Sequence, residues 1–259
     1  MLKKNQIEEF HKNGYLQISN MFKYQEIEAL SNELSVLFSQ DSPNVYRQDG
    51  DDAIRTVFAP NQFSELFDRA YKLDFLVESV KQLLKDDVYL HQYKFNTKIA
   101  LKKGVWDWHQ DFTFWKDDGM PAPKAITVAV YLDDITEFSG GMVVIPGSHK
   151  LGKVACTMEN PEGVHDENLK YVIHKDALEE AVEKCGGMVS TKGKKGTVLF
   201  FDSNLLHASS QNLYYKNRDI LMITYNSVSN AVTKVNKPRE DFMVGRDISP
   251  IKSINSLLK

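Results

Sequence analysis

This chain contains little cysteine, no long apolar run and no marked excess of charge of one sign. Two cysteines among 259 residues are too few for a disulfide framework, so we expect reduced thiols. No segment approaches the run of about 18 apolar residues that a membrane span needs. The formal net charge of −3 gives no basis for a nucleic-acid partner. The N-terminal residues lack the apolar core of a signal peptide, and we therefore expect a cytoplasmic protein.

The length and hydrophobic content set the scale of the fold. A chain of 259 residues, 42% of them hydrophobic, can bury one large core, and we interpret residues 1–259 as a single domain. The N-terminal third favours helices, because apolar side chains recur at helical spacing in residues 24–38 and again in residues 63–84. We expect these helices to flank the rest of the domain.

From residue 88 onward the pattern changes to that of β-strands. Short β-branched or alternating segments, separated by Gly, Pro and Asn turns, occupy residues 88–96, 125–132, 141–148, 196–202 and 219–226. This pattern predicts a mainly β fold with flanking helices, a cupin-like double-stranded β-helix or jelly-roll barrel. The polar stretch 152–194 is interpreted as a lid-like insertion that contains a helix at residues 176–184.

One aromatic stretch, residues 106–112, carries a histidine and an aspartate two positions apart. Alternation along a strand would place His109 and Asp111 on one face, where both can reach the same point. A second imidazole is available about a hundred residues later, at His207. Two imidazoles and one carboxylate form the facial triad of non-heme Fe(II) oxygenases, which leaves coordination positions open. We therefore predict that these three residues bind a metal ion.

Several motifs resemble, in order and spacing, those of a known family. They are residues 10–16, the pair His109 and Asp111, residues 131–134, residues 140–149, and His207 followed by Arg218. On these motifs the chain resembles the phytanoyl-CoA dioxygenase family of Fe(II)/2-oxoglutarate oxygenases over nearly its whole length. Residues 92–96 and 109–115, with the short chain, make it more similar to small bacterial hydroxylases of free amino acids and ectoine than to the acyl-CoA enzyme.

The resemblance implies the cofactors and the residues that hold them. Fe(II), 2-oxoglutarate and dioxygen would act together, and the reaction would hydroxylate an unactivated C–H bond with release of succinate and CO2. Arg218 matches the family's arginine for the distal carboxylate of 2-oxoglutarate, which a planar guanidinium can grip. Further hydrogen bonds to the cosubstrate are expected from Gln92, Asn96, Ser209 and Thr127.

Contacts to the substrate are expected beside the metal motif. The candidates to line its pocket are Phe112, Phe114 and Trp115. The candidates to hold a substrate carboxylate are Arg239 and Arg55. The predicted substrate is a free amino acid or a similar small polar metabolite. Because related halogenases replace the carboxylate at position 111 with a small residue, Asp111 favours hydroxylation over halogenation.

Structural roles for some of these residues stay open. Polar residues on barrel strands often only satisfy backbone groups, and the two arginines can be ordinary surface charges. Trp106 and Trp108 are interpreted as core packing. Among the other histidines, His149 is expected to support the fold near the site, while His165 and His174 fall in the insertion.

Three other functions compete with hydroxylation of a free amino acid. The first is the same chemistry on a larger natural-product or acyl-thioester intermediate. The second is a non-catalytic metal- or 2-oxoglutarate-binding module, against which the intact Asp111 and Arg218 count. The third is a zinc hydrolase, for which the chain lacks an HExxH-like element. The sequence makes no prediction about the oligomeric state.

Overall fold

The computed structural model of the protein describes residues 1–48, 52–158 and 171–259. The α-helices in these ranges are α1 (Lys4–Asn13), α2 (Tyr24–Phe38), α3 (Glu65–Ala70), α4 (Asp74–Leu84), α5 (Asp111–Asp117) and α6 (Lys175–Cys185). The strands are β1 (Tyr15–Ile18), β2 (Val45–Arg47), β3 (Ile54–Phe58), β4 (Val88–Lys98), β5 (Trp106–His109), β6 (Ala125–Tyr131), β7 (Met142–Val144), β8 (Cys156–Met158), β9 (Tyr171–Ile173), β10 (Val189–Ser190), β11 (Val198–Asp202), β12 (His207–Ser209) and β13 (Arg218–Ser227).

Antiparallel strands form two main sheets. The larger sheet has the order β1-β11-β6-β13-β4-β3-β2, and the smaller has the order β10-β7-β12-β5. Their inner faces share one apolar cluster, in which Ala129, Leu199 and Met222 of the larger sheet meet Met142 and Val144 of the smaller. This layered arrangement is the jelly roll with flanking helices that the sequence predicts.

Helices cover the outer face of the larger sheet. Leu30 of α2 and Leu76 of α4 belong to the same buried cluster as Phe95, Val128 and Leu221 of the sheet. Because successive residues of a strand point to opposite faces, the alternate positions of β4 and β13 face the smaller sheet. The helices therefore occupy one face of the sheet, and the other face is available for a site.

The N-terminal helices agree with the sequence in one segment and differ in the next. Helix α2 spans the predicted residues 24–38. The region predicted to be helical at residues 63–84 does contain helices, but it is divided into two, α3 and α4. The break occurs where a distant segment pairs with the backbone: Asp74 N donates to Ile254 O at 2.9 Å, and Ile254 N donates to Lys72 O at 2.8 Å.

The predicted insertion is described only at its two ends. Strands β8 and β9 pair with each other, and α6 confirms the helix predicted at residues 176–184. Residues 159–170, which include His165, lie outside the described residues, so the lid-like role of this segment stays a prediction. Within the described ranges, no helix combines the length and hydrophobicity needed to cross a bilayer.

Helix α1 ends against a histidine. Gly14 caps the helix at a left-handed φ of +77°, and a Cβ built on it would lie 2.4 Å from Nδ1 of His149. The other ring nitrogen of His149 is 3.3 Å from the carbonyl oxygen of His11. The imidazole therefore packs on the helix end, which agrees with a supporting role for His149.

Candidate active site

Three potential metal ligands converge where the smaller sheet meets α5. His109 ends β5 and lies directly opposite His207, the first residue of β12. Nε2 of His109 is 3.7 Å from Oδ1 of Asp111, and Nε2 of His207 is 3.9 Å from the same oxygen. One ligand atom from each residue lies within 4.8 Å of the others. The predicted triad is thus brought together in space.

The sequence argument for Asp111 was wrong in its local geometry. The strand stops at His109, and Asp111 is the first residue of α5 rather than the next inward residue of a strand. The chain turns at Gln110, whose side chain is buried and donates to Asn204 O at 2.7 Å. The carboxylate reaches the two imidazoles because the helix starts beside them.

Both imidazoles are oriented by main-chain carbonyls. The Nδ1 atom of His109 lies 2.6 Å from Asp107 O, and that of His207 lies 2.9 Å from Leu205 O. A carbonyl oxygen accepts only, so this geometry assigns the proton to Nδ1 and leaves the Nε2 lone pair facing Asp111. A fixed tautomer of this kind is the usual outer-shell support of a metal-binding histidine.

Burial also favours the ligand form of the site. Desolvation and, to a smaller extent, the neighbouring His207 lower the pKa of His109 to about 3, against the opposite effect of Asp111. The neutral imidazole is the form that binds a metal ion. Two neutral imidazoles with one carboxylate suit a divalent first-row ion such as Fe(II), so the residues present fit the metal that the sequence predicts.

A cavity opens beside the triad, between the two sheets. Its wall includes all three triad residues and Arg218. Arg218 is 5% exposed, and its Nη2 donates to Gly140 O at 3.0 Å. Its Nε atom is buried without a partner among the described residues. Burial lowers the pKa of Arg218 to about 10, so the side chain remains a cation near neutral pH.

A buried cation with an unused donor fits an anionic ligand. An uncompensated buried charge is costly, and a carboxylate that accepts from the guanidinium offsets that cost. Arg218 therefore fits the distal carboxylate of 2-oxoglutarate.

Three of the four other residues predicted to contact the cosubstrate line the cavity: Gln92, Asn96 and Ser209. Gln92 also donates to Met243 O at 2.9 Å, and Asn96 accepts from Thr56 Oγ1 at 2.9 Å. The prediction for Thr127 is not supported by its position. It is absent from the cavity wall, and its hydroxyl is paired at 2.9 Å with that of Thr224.

The aromatic predictions divide in the same way. Phe114 and Trp115 line the cavity, and the Phe114 ring lies 6.0 Å from that of His109. Phe112 is not on the wall and packs in the cluster around Trp115. Trp106 was interpreted as core packing, which is wrong because it lines the cavity. Trp108 packs against a separate apolar cluster, as expected.

The two arginines considered for a substrate carboxylate have other contacts. Arg239 lines the cavity, but its Nε donates to Asp118 Oδ1 at 2.8 Å and its Nη2 donates to the other oxygen of that carboxylate. Arg55 is not on the wall of this cavity, and its guanidinium lies 4.4 Å from the centre of the Trp106 ring. Neither arginine offers an unneutralised charge to the cavity.

The sequence analysis missed Lys94, whose side chain also lines the cavity. Burial lowers the pKa of Lys94, and Asp111 acts in the opposite direction. The signal was present, because a strand that turns Gln92 and Asn96 inward must also turn Lys94 inward. The apolar wall residues Met142, Ile220 and Met222 carried no comparable signal.

The fold and the site define a class, that of jelly-roll proteins with a two-histidine, one-carboxylate metal site. Comparison with known proteins gives the family. The family model described as phytanoyl-CoA dioxygenase (PhyH) matches residues 10–219, and the chain belongs to this family. The membership confirms the predicted resemblance.

Relatives with assigned activities cover almost the whole chain. L-proline trans-4-hydroxylase of Streptomyces griseoviridis is 32% identical over 255 residues, which are 95% of this chain and 94% of that protein. Ectoine dioxygenase of Sphingopyxis alaskensis is 32% identical over 248 residues, 92% of this chain and 81% of that protein.

Solved structures agree with these relatives. The structure of EctD from S. alaskensis with 2-oxoglutarate and 5-hydroxyectoine has a TM-score of 0.84 at 28% identity, and the match covers 98% of this chain and 87% of that one. The structure of EctD from S. alaskensis with bound Fe has a TM-score of 0.83, with the same identity and coverage. The predicted fold class is confirmed by these matches.

Proposed function

We propose that this protein is an Fe(II)- and 2-oxoglutarate-dependent dioxygenase that hydroxylates an unactivated C–H bond of a free amino acid or a similar small polar metabolite, with release of succinate and CO2. The observation that carries the proposal is the convergence of two imidazole nitrogens and one carboxylate oxygen within 4.8 Å, on the wall of a cavity that also holds a buried arginine. The relatives named above support the choice of small substrates.

In this proposal His109, Asp111 and His207 hold the iron. The carbonyls of Asp107 and Leu205 keep both imidazoles in the ligand tautomer. Iron and 2-oxoglutarate supply the activation of dioxygen when they are bound. The chain positions these groups and shields them from water.

The cosubstrate is held at Arg218 through its distal carboxylate. Ser209 and Asn96, which also line the cavity, offer further hydrogen bonds to it. Gln92 already donates to Met243 O, so only its second N–H and its side-chain carbonyl oxygen are available to the cosubstrate. Thr127 is left out of this set because its hydroxyl pairs with Thr224.

The substrate pocket is formed by the aromatic part of the wall. Phe114 and Trp115 stand next to the triad, where their rings exclude water and orient the C–H bond to be attacked. Because Asp111 would supply a carboxylate ligand to the metal, a halide would have no ligand position left by a smaller residue, and we expect the product to carry oxygen and not a halogen.

A cytoplasmic location accompanies this proposal. Cys156 and Cys185 are both free thiols, as is usual in a reducing compartment. Ferrous iron and 2-oxoglutarate are also available there.

The test is a screen of the iron-loaded enzyme with 2-oxoglutarate, oxygen and a panel of free amino acids, ectoine and other small zwitterions. We expect at least one compound to stimulate succinate release and to gain the mass of one oxygen atom. A halogenated product in the presence of chloride or bromide would contradict the role of Asp111. Turnover only on carrier-bound acyl groups or on larger scaffolds would replace the proposed substrate class by the alternative one.

A further inference from the structure

Lys94 stands on the inner face of β4 with its ammonium group on the cavity wall. Its Nζ atom lies 5.8 Å from the centre of the Trp106 ring. No hydrogen bond or ion pair joins the Lys94 side chain to another residue in the described ranges. Among the described residues, no carboxylate forms an ion pair with this ammonium, although Asp111 favours its charged form.

The other cations near the cavity differ from Lys94 in this respect. Arg239 is paired with Asp118. Lys98 donates to the carbonyl oxygens of Gly104 at 2.7 Å and Ser209 at 3.2 Å. Of the cations on the wall, Arg218 and Lys94 therefore have no carboxylate partner within the part of the chain that the structure describes.

A charge count assigns these two cations to different ligands. In the proposed complex, Asp111 and one carboxylate of 2-oxoglutarate would offset the two charges of Fe(II), and the distal carboxylate of 2-oxoglutarate would offset Arg218. The positive charge of Lys94 then remains at a half-buried position, where an uncompensated charge is costly. A substrate carboxylate placed beside Lys94 would supply this counter-charge locally, including in a zwitterion whose ammonium lies elsewhere in the cavity.

Position along the sheet separates the two cations. In the register of the neighbouring strands β13 and β4, Arg218 lies opposite Lys98, whereas Lys94 lies opposite Met222. Four residues of strand separate these two registers, a distance of about 14 Å. Arg218 and Lys94 therefore enter the cavity from opposite ends of the same wall, and Lys94 is the one that stands near Asp111, which favours the charged form of Lys94.

We propose that Lys94 binds the carboxylate of the substrate and selects carboxylate-bearing zwitterions over their neutral analogues. This inference rests on the proposed hydroxylase function and narrows its substrate class. Lys94 is a specificity residue in this account, and 2-oxoglutarate is held without it.

The experiment compares the parent enzyme with Lys94→Met and Lys94→Arg. Two quantities are measured: the Kd for 2-oxoglutarate, from an anaerobic absorption titration of the Fe(II)-loaded protein, and the KM for stimulation of succinate release by the proteinogenic amino acids, ectoine and the matching carboxamides. Lys216→Met is the matched control, because Lys216 also lies over an aromatic ring, 5.6 Å from the centre of Tyr215, but at the surface.

The parent enzyme is expected to respond to a free acid and not to its carboxamide. Lys94→Met should raise the KM for that acid at least about ten-fold, since a charge-assisted hydrogen bond is lost. The Kd for 2-oxoglutarate should stay unchanged, Lys94→Arg should keep most of the response, and Lys216→Met should behave as the parent.

Other outcomes overturn the inference. One is a weaker Kd for 2-oxoglutarate in Lys94→Met with an unchanged KM for the acid, which would make Lys94 a cosubstrate ligand. Another is a parent enzyme that accepts carboxamides as readily as acids, or responds to no carboxylate in the panel; this measurement needs no variant to fold. Failure of the proposed function itself looks different, because the Fe(II)-loaded parent would then give no absorption change with 2-oxoglutarate.

Discussion

His109 and His207 each place Nδ1 against the carbonyl oxygen of the residue two positions earlier, Asp107 and Leu205. The anchor is therefore local in the chain, although the two histidines are distant in sequence. A side chain fixed by its own strand does not have to be ordered when a ligand arrives, which lowers the entropic cost of binding. The polar residues of the site are arranged before any ligand is bound.

The unneutralised charge of Arg218 gives a prediction that separates binding from stability. We expect Arg218→Met to raise the KM for 2-oxoglutarate about ten- to a hundred-fold, because a charge-assisted hydrogen bond is worth about 1.5–3 kcal/mol. The free energy of unfolding should not fall, because the variant no longer buries an unpaired cation. Steady-state kinetics and urea unfolding measure the two effects, and a destabilised variant with an unchanged KM would contradict the proposed role.

His91 gives a prediction about pH. It is fully buried, and neither ring nitrogen has a partner among the described residues. Burial, with a smaller effect of Arg239, lowers its pKa from 6.5 to about 3. Below pH 6.5 the unfolded chain binds a proton that folded His91 does not, so the free energy of unfolding falls as the pH drops towards 3.

Replacement of His91 by Phe should remove this share of the acid sensitivity. The slope of unfolding free energy against pH should become shallower by up to about 1.4 kcal/mol per pH unit. Urea unfolding of the metal-free protein between about pH 4 and pH 6 measures the slope. His109 contributes in the same direction in both proteins, so equal slopes in parent and variant would show that His91 binds a proton in the folded state.

At the scale of elements, β4 shows why part of the site could be predicted. Its inner positions Gln92, Lys94 and Asn96 line the cavity, while Tyr93 and Phe95 join the core under the helices. Period-two alternation predicts this division without any structure. It could not predict that the strand carrying His109 stops there and that a helix begins at Asp111, because that turn depends on distant partners of Gln110.

The helix ends give a prediction with a built-in control. Gly14 and Gly186 both cap a helix with a left-handed φ, +77° and +84°, but a Cβ on Gly14 would meet the His149 ring, whereas one on Gly186 would meet nothing within 4 Å. Gly186→Ala should cost about 1 kcal/mol, the strain of a left-handed non-glycine residue. Gly14→Ala should cost more, since the imidazole must also move. Urea unfolding compares the two, and equal losses would contradict the packing of His149.

At the scale of the whole molecule, one face of the larger sheet contributes to stability and the other face forms the binding site. The helices bury one face of the seven-stranded sheet, and the other face, closed by the four-stranded sheet, carries the polar and charged residues of the cavity. A chain with a net charge of −3 thus has an inner wall with an excess of positive charge. This local excess suits two anions, the cosubstrate and a substrate carboxylate.

Motif order was enough to predict the jelly roll and the placement of His109, Asp111, His207 and Arg218 around one cavity, because those features depend on residue type and spacing. The sequence did not predict which of the candidate polar side chains would already be hydrogen-bonded or ion-paired to other residues of the protein. Thr127, whose hydroxyl pairs with that of Thr224, and Arg239, which pairs with Asp118, are two examples. Such pairings join positions about a hundred residues apart, which no local pattern records.

The central claim is that three side chains together hold one ferrous ion beside a 2-oxoglutarate site. The most direct measurement is an anaerobic titration of the metal-free protein with Fe(II) in the presence of 2-oxoglutarate, followed by visible absorption. The account predicts a weak charge-transfer band that saturates at about one iron per chain and is lost in Asp111→Ala and in His207→Ala, with the variants still folded by circular dichroism. A band of the same intensity in the triple variant His109→Ala, Asp111→Ala, His207→Ala would contradict it.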